Sequence, residues 1–142
     1  MMRFSAAAAL AAAVVSIGVQ PVRAATIFVS NEKDNTVTVI DSETLNVVKT
    51  IATGARPRGM VFSPDFKELF ICAGDDNRLD VVDTGTLEIT RTLESGPDPE
   101  LLDVDPSGER IYIANEDEGY VTVLERESGK VLAEIPVGVE PE

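Results

Sequence analysis

A repeat of 42 residues runs through this chain and constrains its fold more than any other feature. The stretch Ile111–Glu125 falls on Leu69–Asp83 when the sequence is shifted back by 42 residues, and on Ile27–Asp41 after a second shift of the same length. Neither step needs a gap. Because three copies follow one another at a fixed spacing, the sequence predicts three successive units of the same structure.

Each unit contains short apolar runs in which apolar residues alternate with other residues, a period typical of β-strands rather than helices. Residues that favour turns, mainly Pro, Gly, Asn and Asp, separate the runs. After residue 24, no stretch of ten or more residues has helical periodicity with caps. We predict four strand positions per unit. They are Gly59–Phe62 and Leu101–Val104 at the first position; Ile27–Asn31, Leu69–Ala73 and Ile111–Asn115 at the second; Val37–Asp41, Leu79–Asp83 and Val121–Glu125 at the third; and Val47–Ile51, Ile89–Leu93 and Val131–Ile135 at the fourth.

Four strands at this period predict an all-β fold made of β-propeller blades, each with four antiparallel strands, since blade repeats span about 40–45 residues. A β-sandwich would not give identical spacing in three copies, and parallel β-helices repeat at far shorter periods. The predicted units cover residues 25–56, 57–98 and 99–140. One partial blade and two whole blades make an incomplete ring. We expect the missing blades to come from a longer protein, of which this chain is a truncated member, or from self-association, which is the less favoured alternative.

Residues 1–24 have the composition of a cleaved signal peptide. Arg3 precedes the apolar run Ala6–Val15, and Val22–Ala24 offers small residues to a signal peptidase. A membrane anchor would need roughly 20 apolar residues, but Gln20 and Pro21 interrupt the run. We therefore predict an exported protein with no membrane span after cleavage.

Charge and residue types narrow the possible functions. The chain has 12 Lys and Arg against 25 Asp and Glu, a net charge of −13, and loss of Arg3 and Arg23 with the leader makes it −15. Such a chain is not expected to bind nucleic acid through counterion release. It has no histidine, and its single cysteine, Cys72, is predicted to be buried and unreactive in a strand. We find no catalytic constellation, metal-binding cluster or phosphate-binding glycine loop, so we predict no enzyme activity, no metal site and no cofactor.

Two strands, Ile27–Asn31 and Ile111–Asn115, resemble the Tyr-Val-Thr-Asn strand of the YVTN family of β-propellers. The Val-Thr-Val-Ile-Asp run, the Gly-x-x-Pro turn and Ser-Pro-Asp are also similar to the family pattern. The loops at 29–35, 72–76 and 95–101 resemble one subgroup, the periplasmic propellers associated with PQQ-dependent alcohol catabolism. This resemblance implies a periplasmic, non-enzymatic binding or scaffold propeller linked to a PQQ-dependent oxidation system. The alternatives are a redox enzyme or cofactor-carrying propeller, quinoprotein or haem d1-like, and a non-functional fragment.

Two residues depart from the family pattern. Phe66 stands where a turn glycine is usual, so it must adopt a left-handed backbone conformation or the turn must differ. Asp103 places a carboxylate inside a predicted strand.

Charged residues of the loops define a predicted binding face. Blade strands run antiparallel from the channel outwards, so the loop between the second and third strands lies on the same face as the links between blades. The candidate residues on this face are Arg56, Arg58, Asp75, Asp76, Asp98, Glu100, Glu116, Asp117 and Glu140. Equivalent positions differ in charge, as expected for variable loops on a rigid scaffold. The most specific interpretation of this face is a docking site for a basic, cytochrome-like partner. The acidic loops could instead be a solvated surface, or Asp75–Asn77 could bind calcium. The two arginines could bind an anion or pair with neighbouring acids.

Overall fold

The computed structural model describes residues 25–141, which form three antiparallel sheets. The predicted signal peptide, residues 1–24, lies outside the described residues. Each sheet is one blade, and its strands are hydrogen-bonded in chain order. Blade 1 contains β1 (Thr26–Asn31), β2 (Thr36–Asp41) and β3 (Val47–Ala52). Blade 2 contains β4 (Pro57–Phe62), β5 (Glu68–Ala73), β6 (Arg78–Asp83) and β7 (Glu88–Glu94). Blade 3 contains β8 (Pro99–Val104), β9 (Arg110–Asn115), β10 (Tyr120–Glu125) and β11 (Val131–Pro136).

The structure confirms the predicted fold class. All eleven predicted strands are present, and each observed end lies within two residues of its prediction. Among residues 25–141 the helical content is one 3₁₀ turn, Gly74–Asp76, in the loop between β5 and β6. No helix in this part of the chain has the length and apolar character needed to cross a bilayer.

Strand register repeats as faithfully as the sequence does. Ile27 pairs with Ile40, and the equivalent pairs in blades 2 and 3 are Leu69–Val82 and Ile111–Leu124. Each pairing of the third with the fourth strand carries a register shift at the same position, between residues 39 and 40, 81 and 82, and 123 and 124. The residues that turn the chain into the fourth strand are left-handed in every blade: Leu45, Leu87 and Gly129.

The core lies between neighbouring blades, in two clusters. Leu69 and Ile71 pack towards blade 1, whereas Phe70 and Cys72 pack towards blade 3. Because successive side chains of a strand point to opposite faces, both of which are covered here, β5 is apolar at every position from Leu69 to Ala73 rather than on alternate residues. Fully burying each large aliphatic or aromatic side chain contributes about 2 kcal/mol to folding. The Cys72 thiol is fully buried, and this burial raises its pKa well above the ordinary value, in agreement with the predicted unreactive cysteine.

Asp103 is tolerated because its side chain lies on the outward surface of blade 3. It pairs with Tyr112 across β8 and β9 and is exposed. The strand residues that face blade 2, such as Leu102 and Val104, are apolar and pack against the core. The carboxylate therefore does not enter the interface between blades 2 and 3.

Phe66 adopts the left-handed conformation in the turn between β4 and β5, with φ of 59°, whereas the equivalent Gly108 has φ of 74°. Its ring lies 5.7 Å from that of Phe62 but remains largely exposed. We expect the free energy of unfolding of Phe66→Gly to be about 1 kcal/mol higher than that of Phe66→Ala. Both variants lose the ring, but only glycine removes the strain of the left-handed backbone. Urea denaturation of the two variants measures this difference, and equal stabilities would show that the turn carries no strain.

Candidate functional site

The links between blades lie beside the loops that join the second and third strands, on one side of the molecule. The Gly74 backbone N–H donates to the Arg56 carbonyl at 3.1 Å, and the Glu116 N–H donates to the Asp98 carbonyl at 3.1 Å. We call this side the linker face. It comprises the links at residues 53–56, 95–98 and 137–140 and the loops at residues 32–35, 74–77 and 116–119.

One residue in each link, directly before a proline, has a positive φ. These residues are Arg56, Asp98 and Glu140, with φ of 57°, 42° and 52°. Asparagine side chains hold the first two in place, because Asn35 Oδ1 accepts from the Arg56 N–H at 2.9 Å and Asn77 Oδ1 accepts from the Asp98 N–H at 3.0 Å. The strained backbone thus fixes the start of a charged side chain at the same place in each repeat.

Arg56 lies at the centre of a charged cluster that joins blades 2 and 3. Its Nη2 atom is 2.5 Å from Asp98 Oδ1 and 2.6 Å from Glu100 Oε1, and its Nη1 atom is 3.3 Å from Asp75 Oδ1. Arg58 pairs with Glu100 and lies 3.7 Å from Glu116 Oε2. Arg56 and Asp98, like Arg58 and Glu100, are 42 residues apart, so equivalent repeat positions carry opposite charges and pair across the blade interface. We call these six residues the arginine–carboxylate cluster.

Burial controls the acid–base behaviour of this cluster. The Glu100 side chain is 6% exposed and that of Asp98 is 12% exposed. Burial raises the pKa of both carboxyls. A nearby acid raises each pKa further: Glu116 acts on Glu100, and Asp117 acts on Asp98. The arginines lower both pKa values, but the net change is upward. Burial lowers the pKa of Arg56, but the charges of Asp98 and Glu100 outweigh it and the net change is upward. The cluster therefore depends on its arginines to keep two buried carboxylates ionised.

Three carboxylates of the cluster come close enough to one another to surround a cation. Ligand atoms of Asp98, Glu100 and Glu116 all lie within 4.8 Å of one another. However, guanidinium groups of Arg56 and Arg58 already contact these carboxylates, so positive charge is supplied by the chain itself. Asp75 and Asp76, considered for calcium, contact different arginines: Asp75 pairs with Arg56, and Asp76 Oδ2 lies 3.4 Å from Arg78 Nη1.

The remaining candidate residues lie around an open recess at the edge of blade 3. Asp117 and Glu140 line this recess, together with Glu116 and Glu118 and the backbone of residues 136–139. Its volume is about 390 Å³. Asp117, Glu118 and Glu140 are exposed, and among residues 25–141 no arginine or lysine forms an ion pair with any of them. We call this feature the acidic recess.

Sequence reasoning missed the residues that hold the links to the blades. Asn115 is fully buried: its Nδ2 group donates to the carbonyls of Ser95 at 3.0 Å and Pro97 at 2.6 Å, and its Oδ1 atom accepts from Thr122 Oγ1 at 2.7 Å. The asparagine that ends this strand in the repeat thus has a structural role here.

Blade 2 holds its link with a different residue. It has Ala73 at the position of Asn115, and the fully buried Asp80 takes over. Its Oδ2 atom accepts from the Gly54 N–H at 2.6 Å, and its Oδ1 atom accepts from Arg78 Nε at 2.9 Å. One feature of the sequence indicates this role: Asp80 is an acid at a repeat position that Thr38 and Thr122 occupy in the other copies.

Solved structures with a similar fold include three larger proteins. The hydrazine synthase of Kuenenia stuttgartiensis superposes with a TM-score of 0.76 at 18% identity, covering 91% of this chain and 41% of that one. The dihydro-heme d1 dehydrogenase NirN in complex with DHE gives 0.69 at 19% identity, covering 81% of this chain and 26% of that one. A functionally unknown protein from Desulfotomaculum acetoxidans DSM 771 gives 0.69 at 20% identity, covering 82% and 40%. The chain therefore spans less than half of each of these proteins.

Sequence comparison identifies the family. No curated protein sequence matches the chain. The family model described as YNCE-like beta-propeller matches residues 3–132, which is most of the sequence. The repeat, the three sheets and this match agree, and the chain belongs to the YNCE-like β-propeller family.

Proposed function

We propose that this chain is a non-enzymatic binding and scaffold propeller of the periplasm, linked to a PQQ-dependent oxidation system, and that its linker face docks a basic, cytochrome-like protein. The acidic recess carries the proposal. Asp117, Glu118 and Glu140 stand together on the exposed side of blade 3, whereas the arginines of the linker face are held by other carboxylates. A negative surface that its own chain does not neutralise suits a positively charged partner.

Fixed geometry supports docking rather than a general effect of charge. The Glu116 N–H is bonded to the Asp98 carbonyl, and the Val137 N–H is bonded to the Gly119 carbonyl at 3.0 Å, so backbone hydrogen bonds hold both walls of the recess. A docking surface gains specificity when its charges are held in place before the partner arrives.

Location and pathway rest on other observations. The predicted leader at residues 1–24 supports export, and the similarity of the loops at 29–35, 72–76 and 95–101 to the PQQ-associated propellers supports the link to that oxidation system. The sequence offers no histidine, and Cys72 is buried, which favours binding over catalysis.

Charge reversal in the recess tests the docking surface. We expect Asp117→Lys/Glu118→Lys to weaken binding of a basic c-type cytochrome about tenfold, measured by surface plasmon resonance at low ionic strength, since electrostatic complementarity governs encounter. The control is Glu43→Lys/Glu109→Lys, which changes the net charge equally but lies in exposed turns on the opposite side of the blades. It should bind like the unmodified chain.

Three results would overturn the proposal. Equal weakening by both variants would show a general charge effect, and failure of the unmodified chain to bind at low ionic strength would remove the docking site. A visible absorption band in the purified chain would favour the cofactor-carrying alternative instead.

A further inference from the structure

The arginine–carboxylate cluster contains more acids than its arginines can neutralise. Two arginines, Arg56 and Arg58, face four carboxylates, so the cluster has a net charge of −2 when every acid is ionised. Asp117, in the loop at residues 116–119, adds a further negative charge beside Asp98. Because each carboxylate held close to another disfavours ionisation of its neighbour, a cluster of this composition favours uptake of a proton as the pH falls.

Glu116 is the acid of the cluster that the arginines hold least closely. Both Arg56 and Arg58 donate hydrogen bonds to Glu100, and Arg56 also donates to the two aspartates. Arg58 Nη1 lies 3.7 Å from Glu116 Oε2, which is beyond hydrogen-bonding distance. The Glu116 side chain, 27% exposed, thus needs a partner other than an arginine.

Glu100 is placed to be that partner. The side chains of Glu100 and Glu116 are hydrogen-bonding neighbours, and an oxygen of one lies within 4.8 Å of an oxygen of the other. The backbone keeps them together, because Glu100 follows Pro99, and Pro99 pairs with Asn115, the residue before Glu116. Since an ionised carboxylate only accepts hydrogen bonds, the two groups bond to each other only when one of them carries a proton.

We propose that Glu100 and Glu116 take up one proton between them as the pH falls, and that the hydrogen bond formed then fastens the loop at residues 116–119 to the inner strand of blade 3. At neutral pH both groups are ionised and repel each other. In the protonated pair the proton is bound to an oxygen of one carboxyl, which donates to the other. The linker face loses one negative charge in the same step.

The groups around the pair set the direction of this change. Burial of Glu100 raises its pKa, contact with Glu116 raises it further, and Arg58 and Arg56 lower it, with a net change upward. A carboxyl whose pKa is higher in the folded state stabilises that state in acid. Its contribution is complete below about 4.5, the ordinary pKa, and is lost as the pH rises through the raised pKa. The other titratable groups around the pair are Asp98, Asp117, Asp75 and the Cys72 thiol of β5.

Proton uptake at this pair would also regulate docking. Glu116 lines the acidic recess, so the protonated pair leaves the recess with less negative charge. A basic partner should therefore bind there less tightly in acid, a consequence that rests on the function proposed above. Proton uptake is measured on the chain without a partner, so its failure and the failure of docking are distinguishable.

Carbon-13 NMR titration of the glutamate carboxyl groups in the full chain tests the uptake. We expect Glu100 to titrate with a midpoint above 4.5, and Glu116→Gln to move that midpoint down. The glutamine removes a neighbouring negative charge, and its amide can donate to ionised Glu100. A chelator is present throughout, because a cation among Asp98, Glu100 and Glu116 would compete with the proton.

Asp117→Asn is the matched control for charge. It removes one negative charge from the same loop, but Asp117 acts on Asp98 rather than on Glu100. The Glu100 midpoint should therefore stay where it is in the unmodified chain.

Amide hydrogen exchange measures the fastening of the loop. The Glu116 and Gly119 N–H groups donate to the carbonyls of Asp98 and Asn115, each at 3.1 Å. After correction for the intrinsic effect of pH, we expect their protection to rise about tenfold between neutral pH and about 4.5, since a hydrogen bond to a charged group contributes on this scale. In Glu116→Gln the protection should be nearly independent of pH.

Three results would overturn the proton-linked loop. A Glu100 midpoint that Glu116→Gln does not lower would show that burial alone shifts the titration. An equal decrease in Asp117→Asn would show a general charge effect. Protection of the loop amides that does not rise in acid would show that proton uptake leaves the loop unchanged.

Discussion

Replacing Asn115 with alanine is expected to lower the free energy of unfolding by about 3 kcal/mol, since two buried hydrogen bonds and one partly buried hydrogen bond lose a partner at once and each costs about 1 kcal/mol. The Ser95 and Pro97 carbonyls lose a donor, and the Thr122 hydroxyl loses its acceptor. All three bonds lie where the link from blade 2 enters blade 3. Urea denaturation followed by circular dichroism measures the loss.

Asn31→Ala is the matched control, because Asn31 ends the same strand in blade 1. It is only half-buried, and its Nδ2 group donates to Thr36 Oγ1 at 3.1 Å and Thr38 Oγ1 at 2.8 Å, hydroxyls that water can reach. We expect this variant to lose less than about 1 kcal/mol. Similar losses in the two variants would contradict the view that Asn115 stabilises the protein by holding the link.

The strands could be predicted from the sequence because the repeat reports them three times. A single run such as Leu69–Ala73 is continuously apolar and could equally belong to a buried helix. Its counterparts Ile27–Asn31 and Ile111–Asn115, with turn residues at the same offsets, remove that ambiguity. Register follows as well, since a slip of one residue would turn the apolar side chains of blade 2 to the wrong neighbours.

Side-chain partners could not be predicted in the same way. The sequence places Arg56 and Asp98 at equivalent positions of adjacent blades, but their ion pair depends on how far apart the inner strands lie and on the left-handed backbone before each proline. Asp80 was missed for a related reason. An acid in a strand is usually taken as surface, and only the structure shows that the Gly54 N–H turns inwards to meet it.

The ion pairs of a second charged cluster between blades 2 and 3 could not be predicted from the sequence either. Glu68 accepts from Arg91 at 2.9 Å and from Arg126 at 2.8 Å, and Arg91 also donates to the carbonyl of Arg126. These residues come from three different strands or turns, and their equivalents in the other repeats are not charged in the same pattern. A repeat identifies what its copies share, whereas these ion pairs depend on how the copies differ.

Arg56→Met is expected to lower the free energy of unfolding by about 3 kcal/mol at pH 7, because it leaves Asp98 without its arginine and Glu100 with only one, both largely buried. The deficit should shrink as the pH falls towards about 4.5, the ordinary pKa of a glutamic acid. A carboxyl whose pKa is higher in the folded than in the unfolded state binds protons more tightly when folded, so acid stabilises the folded form across that range. Urea denaturation at several pH values measures both effects.

Arg58→Met provides the comparison, since Glu100 would still be paired with Arg56 and the more exposed Arg58 contributes about 1 kcal/mol. The triple variant Arg56→Met/Asp98→Asn/Glu100→Gln should recover most of the stability lost by Arg56→Met, because the cost arises from unpaired buried carboxylates rather than from the missing arginine itself. No recovery in the triple variant would instead show that Arg56 acts by filling space between blades 2 and 3. Recovery would establish that the opposite charges at equivalent repeat positions stabilise the protein by neutralising Asp98 and Glu100, the acids buried where blades 2 and 3 meet.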